Sequence, residues 1–408
     1  MTPSIDSGGP QPSTPGGRIA NDLDIIGPSE WRDLVAAAVG SDRAEVVDWR
    51  SEQIYAGLGA GTRLYRVTGT AAVGSPGSVP WRMILKFFTF DLKSFESLGH
   101  RPSDWNYWQR EWSAYRSSWQ QDLCGSLVAP RCFGSSDATD GNAATDTEQA
   151  MAWVALEDLG DHARDWTPPE FGAVACQVGE FNGVHADGTF EREPWHVPRD
   201  WLRGWAEQSA GAIEQLSSGV DGPVAQRLLP ARVSTELLRL WADRDQLFAA
   251  LDRLPTTLAH NDVFPRNLFR AVGPAGSSVA VDWAFAGPAP VGAELAAMVG
   301  AGQVFFGSPP DEWEEVEREC LAGYLRGLRQ AGYPADPAEV EAGYLLSYVL
   351  RFGVGTVVHD LQIALLPASN RAEISRAIGP YDLLVDRLES RSWFRQPRIR
   401  RARALLGL

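Results

Sequence analysis

The chain has 408 residues, 44% of them hydrophobic and 22% charged, a balance typical of a soluble globular protein with one large or two medium domains. Its formal net charge of −15 argues against nucleic acid as a partner, because phosphate backbones are bound by basic surfaces. No apolar run approaches the roughly 20 residues of a membrane span, and four cysteines without a metal-binding spacing predict reduced thiols in the cytoplasm.

The chain is expected to begin with a disordered tail over residues 1–20, a stretch rich in Pro, Gly and Ser that lacks the basic and apolar regions of a signal peptide. We expect an N-terminal lobe over residues 21–159, where strand patterns dominate. A larger C-terminal lobe is expected over residues 160–408, where helical patterns dominate. The N-terminal lobe opens with a helix predicted over residues 28–39, whose apolar residues recur on one face.

Three β-rich runs follow this helix, at residues 45–49, 64–67 and 81–87. Gly57, Gly59 and Gly61 lie between the first two. A glycine-rich turn between antiparallel strands lets backbone N–H groups approach the phosphates of a nucleotide without interference from Cβ atoms. An ordinary hairpin turn is the alternative interpretation.

Lys86 lies inside the apolar run at residues 83–88, where a lysine is unfavourable unless an anion pairs with it. It is therefore predicted to bind nucleotide phosphates and a carboxylate from a helix. Glu111 is the best candidate partner, because aromatic residues at three- and four-residue steps predict an amphipathic helix over residues 105–119. The alternative is a strand-end lysine whose amine reaches solvent.

Two more strands are predicted, at residues 128–134 and 152–156, and helical patterns prevail from residue 168 onward. His185 lies on the apolar stripe of the first of these helices, so we expect a hydrogen-bonded core histidine there. The basic C-terminal segment is expected to form a solvated helix. The later helices are predicted at residues 168–188, 200–217, 233–251, 312–329, 337–350 and 352–365.

The stretch HNDVFPRN, which begins at His260, carries the residues best suited to phosphoryl transfer. Asp262 is predicted to orient and deprotonate an attacking hydroxyl. Asn267 in this loop and Asp282, at the end of a β-like run, are oxygen ligands of the kind that Mg²⁺ prefers. The alternative is an Asn- and Pro-rich turn in which Asp262 is a solvated cap.

Together with the later VDW, this loop resembles the H-G-D-x-H-P-x-N and I-D-W motifs of the aminoglycoside phosphotransferase and choline kinase family. The resemblance covers roughly residues 45–298. It implies an α+β, two-lobed, protein-kinase-like fold, with an antiparallel sheet and a helix in the N-terminal lobe and a mostly helical C-terminal lobe. Two positions depart from the pattern: Asn261 replaces a glycine, and Phe264 replaces a histidine.

The resemblance also implies a hinge at Glu157-Asp158-Leu159, where backbone groups of Glu157 and Leu159 would pair with adenine. The family has an Asp that braces the catalytic loop, but this chain has Glu294 there, so the brace is expected to be repositioned or absent. Only a short segment separates Asp282 from the next helix, which disfavours a protein substrate.

These features predict an ATP- or GTP-dependent, Mg²⁺-dependent kinase of a small-molecule hydroxyl. Aminoglycosides, amino sugars, choline-like amines and related natural products are the candidate acceptors, because tryptophans around residues 195–205 suit a cation or a sugar. The same tryptophans at helical spacing could equally be core. An inactive nucleotide-binding protein is the main alternative. A metal hydrolase built on His260, Asp262, Asp282 and His359 is less well supported.

Overall fold

The computed structural model describes residues 22–408 except 56–61, 75–76, 92–98, 100, 118, 120–122, 124, 138–148, 162–164, 187–189, 274–275 and 306. The predicted tail and the glycine-rich turn with Gly57, Gly59 and Gly61 lie outside the described residues. The division into lobes near Leu159 remains a prediction. No helix in the described ranges has both the length and the hydrophobicity of a membrane span.

The N-terminal part of the chain forms a five-stranded sheet in which every neighbouring pair is antiparallel. The strands predicted at residues 45–49, 64–67 and 81–87 are confirmed and are longer than their apolar centres. The strands are β1 (Glu45–Tyr55), β2 (Thr62–Ala72), β3 (Ser78–Asp91), β4 (Leu127–Val128), β5 (Cys132–Ser135) and β6 (Gln149–Glu157). The order in the five-stranded sheet is β1-β2-β3-β6-β5, and β4 lies outside it.

The strand predicted over residues 128–134 is divided in the structure. Leu127–Val128 pairs in parallel with a strand of a separate small sheet, and Cys132–Ser135 joins the five-stranded sheet. Pro130 lies between the two pieces and has no N–H to donate, which accounts for the break in the ladder.

The sheet has two different faces because side chains alternate along each strand. Met83, Leu85 and Phe87 on β3 pack into a core with helix α1 (Pro28–Val39), which has the predicted bounds. Lys86 and Phe88 alternate with them and face the other way, toward the rest of the molecule. The central strand thus carries Lys86 to the side where the catalytic loop lies.

The aromatic segment at residues 105–119 is only partly helical, which corrects the prediction. Helix α2 spans Arg110–Arg116, and the preceding residues form turns. Trp108 N–H donates to Gly99 O at 3.3 Å, and Tyr107 N–H donates to Asp104 O at 3.2 Å. These bonds replace the helical pattern before Arg110, yet α2 still delivers Glu111 to the sheet.

The remainder of the described chain is mainly helical, and two of the predicted helices are each divided by a short break. The helices are α3 (Pro168–Val184), α4 (Trp201–Glu207), α5 (Ala210–Ser218), α6 (Pro223–Leu228), α7 (Ala231–Ala242), α8 (Arg244–Leu251), α9 (Glu294–Val304), α10 (Trp313–Gln330), α11 (Pro337–Tyr348), α12 (Val357–Ala364), α13 (Arg371–Ala377) and α14 (Tyr381–Ala404). A π-helical turn over Val349–Val354 continues from α11.

Two small sheets hold the segments between these helices. Strand β7 (Thr256–Ala259) pairs with β10 (Gly287–Pro290). Strand β9 (Ser278–Ala280) lies between β4 and β8 (Leu268–Phe269). The fold class predicted from the sequence is therefore confirmed: an antiparallel sheet with a helix comes first, and a larger, mostly helical part follows.

The basic C-terminal segment forms a helix, as predicted, but the prediction that its basic side chains are solvated is wrong. Arg391, Arg395 and Arg398 of α14 are at most 2% exposed. Asp360 accepts hydrogen bonds from Arg391 and Arg395, and Glu317 accepts from Arg398. These guanidinium groups are buried because carboxylates from neighbouring helices neutralise them.

Candidate active site

The predicted catalytic residues are brought together by the pairing of short strands. β7 leads directly into the loop that begins at His260, and β8 ends the loop. β9 then runs antiparallel to β8 and delivers Asp282. Val281 N–H donates to Asn267 O at 2.9 Å, which ties the start of the Asp282 turn to the end of the loop.

Asp262 and Asn267 are in direct contact. Asn267 Nδ2 donates to Asp262 Oδ2 at 2.9 Å and to the Asp262 carbonyl oxygen at 3.0 Å. The Asp262 side chain is 16% exposed. Burial raises the pKa of Asp262 above its ordinary value, although the neighbouring Arg351 charge opposes this. The contact fixes the carboxylate in a position from which it could accept a proton.

Asn261 lies where the family that this loop resembles has glycine. The backbone conformation at this position explains why either glycine or asparagine can occupy it. Its φ of 62° is in the left-handed region, which glycine adopts without cost and asparagine adopts more readily than most residues. Its side-chain Nδ2 donates to Phe285 O at 3.0 Å. The substitution therefore preserves the turn and adds a hydrogen bond.

Glu294 braces the catalytic loop, although the sequence led us to expect a repositioned or absent brace. Its Oε1 accepts from the backbone N–H groups of His260 at 2.7 Å and Asn261 at 2.9 Å. Its Oε2 accepts from Asn182 Nδ2 at 2.8 Å. Burial raises the pKa of Glu294 to about 7, against the opposing effect of these donors. The extra methylene of Glu is accommodated at the first residue of α9.

His260 orients the loop from within the protein. Its Nε2 donates to Val281 O at 3.0 Å, and its Nδ1 accepts from Asp262 N–H at 3.2 Å, so the ring is neutral. Burial lowers the pKa of His260 to about 4. Its ring packs 4.4 Å from the ring of Trp283, which is fully buried. Both ring nitrogens of His260 are thus hydrogen-bonded to the backbone, and its ring packs against Trp283.

Lys86 pairs with Glu111, as predicted, and also with Asp282. Its Nζ lies 2.5 Å from Glu111 Oε2 and 3.2 Å from Asp282 Oδ1. Burial alone would lower the pKa of Lys86, but Asp282 and Glu111 raise it above its ordinary value. Burial raises the pKa of Glu111 to about 7, with Lys86 opposing. Lys86 is therefore a protonated cation that links the sheet, α2 and the Asp282 turn.

The hinge-like residues lie at the end of β6, which pairs with the strand that carries Lys86. Glu157 N–H donates to Arg131 O at 2.9 Å, and the Leu159 side chain is partly buried. Asp158 is 5% exposed and pairs with Arg66 at 3.1 Å. Contact of Glu157 and Leu159 with adenine remains a prediction.

The predicted metal ligands are suitable in chemistry. Asn267 uses its Nδ2 toward Asp262, which leaves its Oδ1 as the oxygen donor. The Asp282 side chain is 44% exposed although Lys86 binds its Oδ1. Burial would raise the pKa of Asp282, but Lys86 lowers it below its ordinary value, which keeps the carboxylate ionised. Such a pair fits Mg²⁺, which binds through few carboxylates together with substrate phosphates.

The metal-hydrolase alternative has no ligand set within the described parts of the chain. These parts contain no group of three or more His, Cys, Asp or Glu side chains arranged to hold a metal ion. The His260 Nε2 that it would need donates to Val281 O.

Arg351 belongs to the site and was missed in the sequence analysis. It lies in the π-helical turn, and its Nη2 is 2.6 Å from Asp262 Oδ1, while Nη1 donates to Asn261 O at 2.5 Å. A signal for it was available: Arg351 interrupts an apolar run, as Lys86 does, and a buried cation requires a partner.

The tryptophans near residues 195–205 have more than one role. Trp195 is 4% exposed and is a core residue, whereas Trp201 and Trp205 have their rings beside Arg351. His185 is a core histidine, as predicted, and its Nδ1 is 2.8 Å from Phe181 O. An open groove of about 580 Å³ also borders Trp201 and includes Trp105 in its wall.

The comparison with solved structures finds several kinases of low sequence identity. An amicoumacin kinase in complex with AMP-PNP, Ca²⁺ and Ami is 15% identical, with a TM-score of 0.46, over 85% of this chain and 88% of that one. A Plasmodium vivax ethanolamine kinase is 11% identical, with a TM-score of 0.48, over 87% and 83%. A Mesorhizobium loti choline/ethanolamine kinase family protein is 14% identical, with a TM-score of 0.44, over 93% and 95%.

No curated protein matches the sequence. The model of the phosphotransferase enzyme family, by contrast, matches residues 144–340, a range that holds Glu157, Asp262, Asn267 and Asp282. This match confirms, over that range, the resemblance predicted from the catalytic-loop motif.

Proposed function

We propose that the chain transfers the γ-phosphate of ATP, or of GTP, to a hydroxyl group of a small molecule. The observation that carries this proposal is the convergence of Lys86, Asp262, Asn267 and Asp282, which come from distant parts of the sequence. Asp262 is linked to Asn267 at 2.9 Å, and Asp282 is linked to Lys86 at 3.2 Å. Phosphoryl transfer requires this combination of a carboxylate base, oxygen ligands and a phosphate-binding cation.

Each residue has a distinct role in the proposed reaction. Asp262 orients the acceptor hydroxyl and takes its proton, while Lys86 binds the nucleotide phosphates and holds Asp282 in place. Asn267 and Asp282 would hold Mg²⁺, which neutralises charge on the phosphates when bound. Most of the rate enhancement then comes from positioning and electrostatic stabilisation, because the protein forms no covalent bond to the phosphoryl group.

The acceptor is proposed to bind near Asp262 and the groove beside Trp201. The groove is lined by both aromatic and polar residues, among them Trp105, Asp104 and Arg203. Such a surface suits a hydroxylated molecule with some apolar area. Cationic amines are among the acceptors predicted from the sequence, and the surroundings of Arg351 bear directly on whether such amines bind.

Asp262→Asn tests the assigned base. The amide keeps the shape of the side chain but cannot take a proton, so kcat should fall by roughly 10²–10⁴-fold, while nucleotide binding is retained. The measurement pairs ADP release over an acceptor panel with ATP·Mg²⁺ binding by thermal shift. Asp386→Asn is the matched control, since the Asp386 side chain is 60% exposed and pairs with Arg227, outside the proposed site. Equal loss of turnover and ATP binding would contradict the role given to Asp262.

One observation favours the alternative of an inactive nucleotide-binding protein. Both oxygens of Asp262 already accept hydrogen bonds, Oδ1 from Arg351 and Oδ2 from Asn267. A base in that state must exchange one partner for the acceptor hydroxyl. Saturable ATP·Mg²⁺ binding without transfer to any acceptor would support this alternative over the kinase.

A further inference from the structure

The guanidinium group of Arg351 lies in a box of aromatic rings. Its central carbon is between 5.2 and 5.8 Å from four ring centroids, which belong to Trp201, Trp205, Phe285 and Phe352. Aromatic faces within about 6 Å attract a cation through the ring quadrupole. Arg351 as a whole is only 7% exposed, so these contacts take place largely out of water.

The box is a coherent structure contributed by separate parts of the chain. The rings of Trp201 and Phe285 are 5.1 Å apart, and those of Trp201 and Trp205 are 6.4 Å apart. Trp205 Nε1 also donates to Arg351 O at 3.3 Å, which joins α4 to the π-helical turn. The rings are thus held in place by each other and by the backbone that carries Arg351.

The polar end of the box is the proposed catalytic base. Arg351 Nη2 is 2.6 Å from Asp262 Oδ1, and Arg351 Nη1 donates to Asn261 O. Four aromatic faces and one carboxylate are the groups that would recognise an organic cation. Here the chain supplies that cation itself, next to the place where the acceptor hydroxyl must lie.

We propose that Arg351 is a specificity-determining residue that fills this cation-binding box and thereby selects acceptors without a positive charge near the reacting hydroxyl. An ammonium group beside Asp262 would have to displace Arg351 or lie against its positive charge. Neutral or anionic hydroxyl compounds meet no such conflict. The proposal rests on the proposed function, because it takes from it that a hydroxyl acceptor binds beside Asp262. The occupancy of the box by Arg351 can be tested without turnover.

The test uses tetramethylammonium as a probe of the box, followed through the tryptophan fluorescence of the folded full-length chain without nucleotide. In Arg351→Ala the box is empty, and we expect saturable quenching with an affinity at least tenfold tighter than for the wild type. Arg351→Lys keeps a positive charge and should resemble the wild type. Arg244→Ala is the matched control, because Arg244 lies 4.1 Å from the Trp241 ring but outside the box.

Two results would overturn the proposal. One is saturable binding of tetramethylammonium to the wild type with an affinity equal to that of Arg351→Ala. The other is a folded Arg351→Ala protein, verified by its thermal transition, that binds the probe no more tightly than the wild type. If Arg351→Ala does not fold, the wild-type titration decides the question: saturable quenching refutes a filled box, and its absence across the millimolar range supports one. A failed kinase assay would leave these titrations unchanged.

Discussion

Lys86 and Glu111 show how one buried pair determines the chemistry available to the site. Both residues are nearly inaccessible, at 6% and 1% exposed, and their charged atoms are 2.5 Å apart. Removing one partner of such a pair leaves the other charge buried without compensation, which is more costly than the pair itself is stabilising. Asp282 shares the same lysine, so the pair also controls the position of a proposed metal ligand.

Lys86→Met should destabilise the protein in a pH-dependent manner. The folded-state pKa of Glu111 is about 7 with Lys86 present and rises further without it, whereas the unfolded value is about 4.3. A carboxyl whose folded pKa is raised favours folding at low pH and loses that contribution as pH rises. Relative to the wild type, the variant should therefore lose about 1 kcal/mol more of its unfolding free energy at pH 8 than at pH 5, because the titration of Glu111 differs between the two proteins only above pH 7. Urea denaturation at the two pH values measures this difference.

The double variant Lys86→Met/Glu111→Gln is the control for that experiment, because it has no carboxyl to titrate at position 111. Its unfolding free energy should not show the additional loss between pH 5 and pH 8. A single variant whose loss is constant with pH would contradict the assignment of Glu111 as the uncompensated group.

At the same residue scale, the rule that a cation in an apolar run needs an anionic partner was used to predict the role of Lys86 but was not applied to Arg351. Both are cations inside apolar runs, and both have a carboxylate partner distant in sequence. The role of Lys86 could be predicted because this residue lies in a strand pattern that follows a glycine-rich turn. Arg351 lies 89 residues beyond Asp262, and no local pattern joins them. Only the packing of the π-helical turn against the catalytic loop reveals the pair.

At the scale of elements, α9 stabilises the catalytic loop through its first residue. Glu294 accepts the backbone N–H groups of His260 and Asn261, which follow directly after β7. Asn182 on α3 donates to the same carboxylate, and it receives a hydrogen bond from Tyr324 on α10 at 2.7 Å. Three helices therefore fix the start of the loop through one connected network.

Glu294→Ala should loosen the loop and lower its catalytic competence. Two buried N–H groups would lose their acceptor, at about 1–3 kcal/mol each, so the unfolding free energy should fall by about 2–6 kcal/mol and kcat by at least tenfold. Chemical denaturation and steady-state kinetics measure the two effects. Glu315→Ala on α10 is the control: it is 50% exposed and should cost less than about 0.5 kcal/mol. Unchanged kcat in a destabilised Glu294→Ala protein would contradict the bracing role.

Sequence patterns predicted the elements near the site better than their ends. The loop from His260 to Asn267 was recognisable because its chemistry is concentrated in eight residues. The strand predicted over residues 128–134 is broken in the structure because Pro130 has no N–H to donate. The prediction did not take this into account. The short α2 could not be foreseen, because residues 101–108 form turns, bonded to one another and to Gly99, that outweigh the helical spacing of their aromatic residues.

At the scale of the whole molecule, the site depends on contacts between residues far apart in sequence. Lys86 comes from the central strand, Asp282 from a small sheet and Arg351 from the helical part, 265 residues after Lys86 (351 − 86). Composition suggested a solvated basic C-terminus, but Arg391, Arg395 and Arg398 of α14 are buried in pairs with Asp360 and Glu317. Net charge describes the whole surface and does not show which arginines are neutralised inside.

We propose above all that this chain moves a γ-phosphate to a small-molecule hydroxyl with Asp262 as base. The most direct measurement is transfer of label from [γ-³²P]ATP with Mg²⁺ to a panel of neutral, anionic and cationic hydroxyl compounds, using the wild type and Asp262→Asn in parallel. We expect the wild type to produce a labelled, phosphatase-sensitive product from at least one acceptor, and Asp262→Asn to produce at most about one hundredth as much. Equal labelling by the two proteins would contradict the role of Asp262, and saturable ATP binding with no labelled product from any compound would contradict the kinase itself.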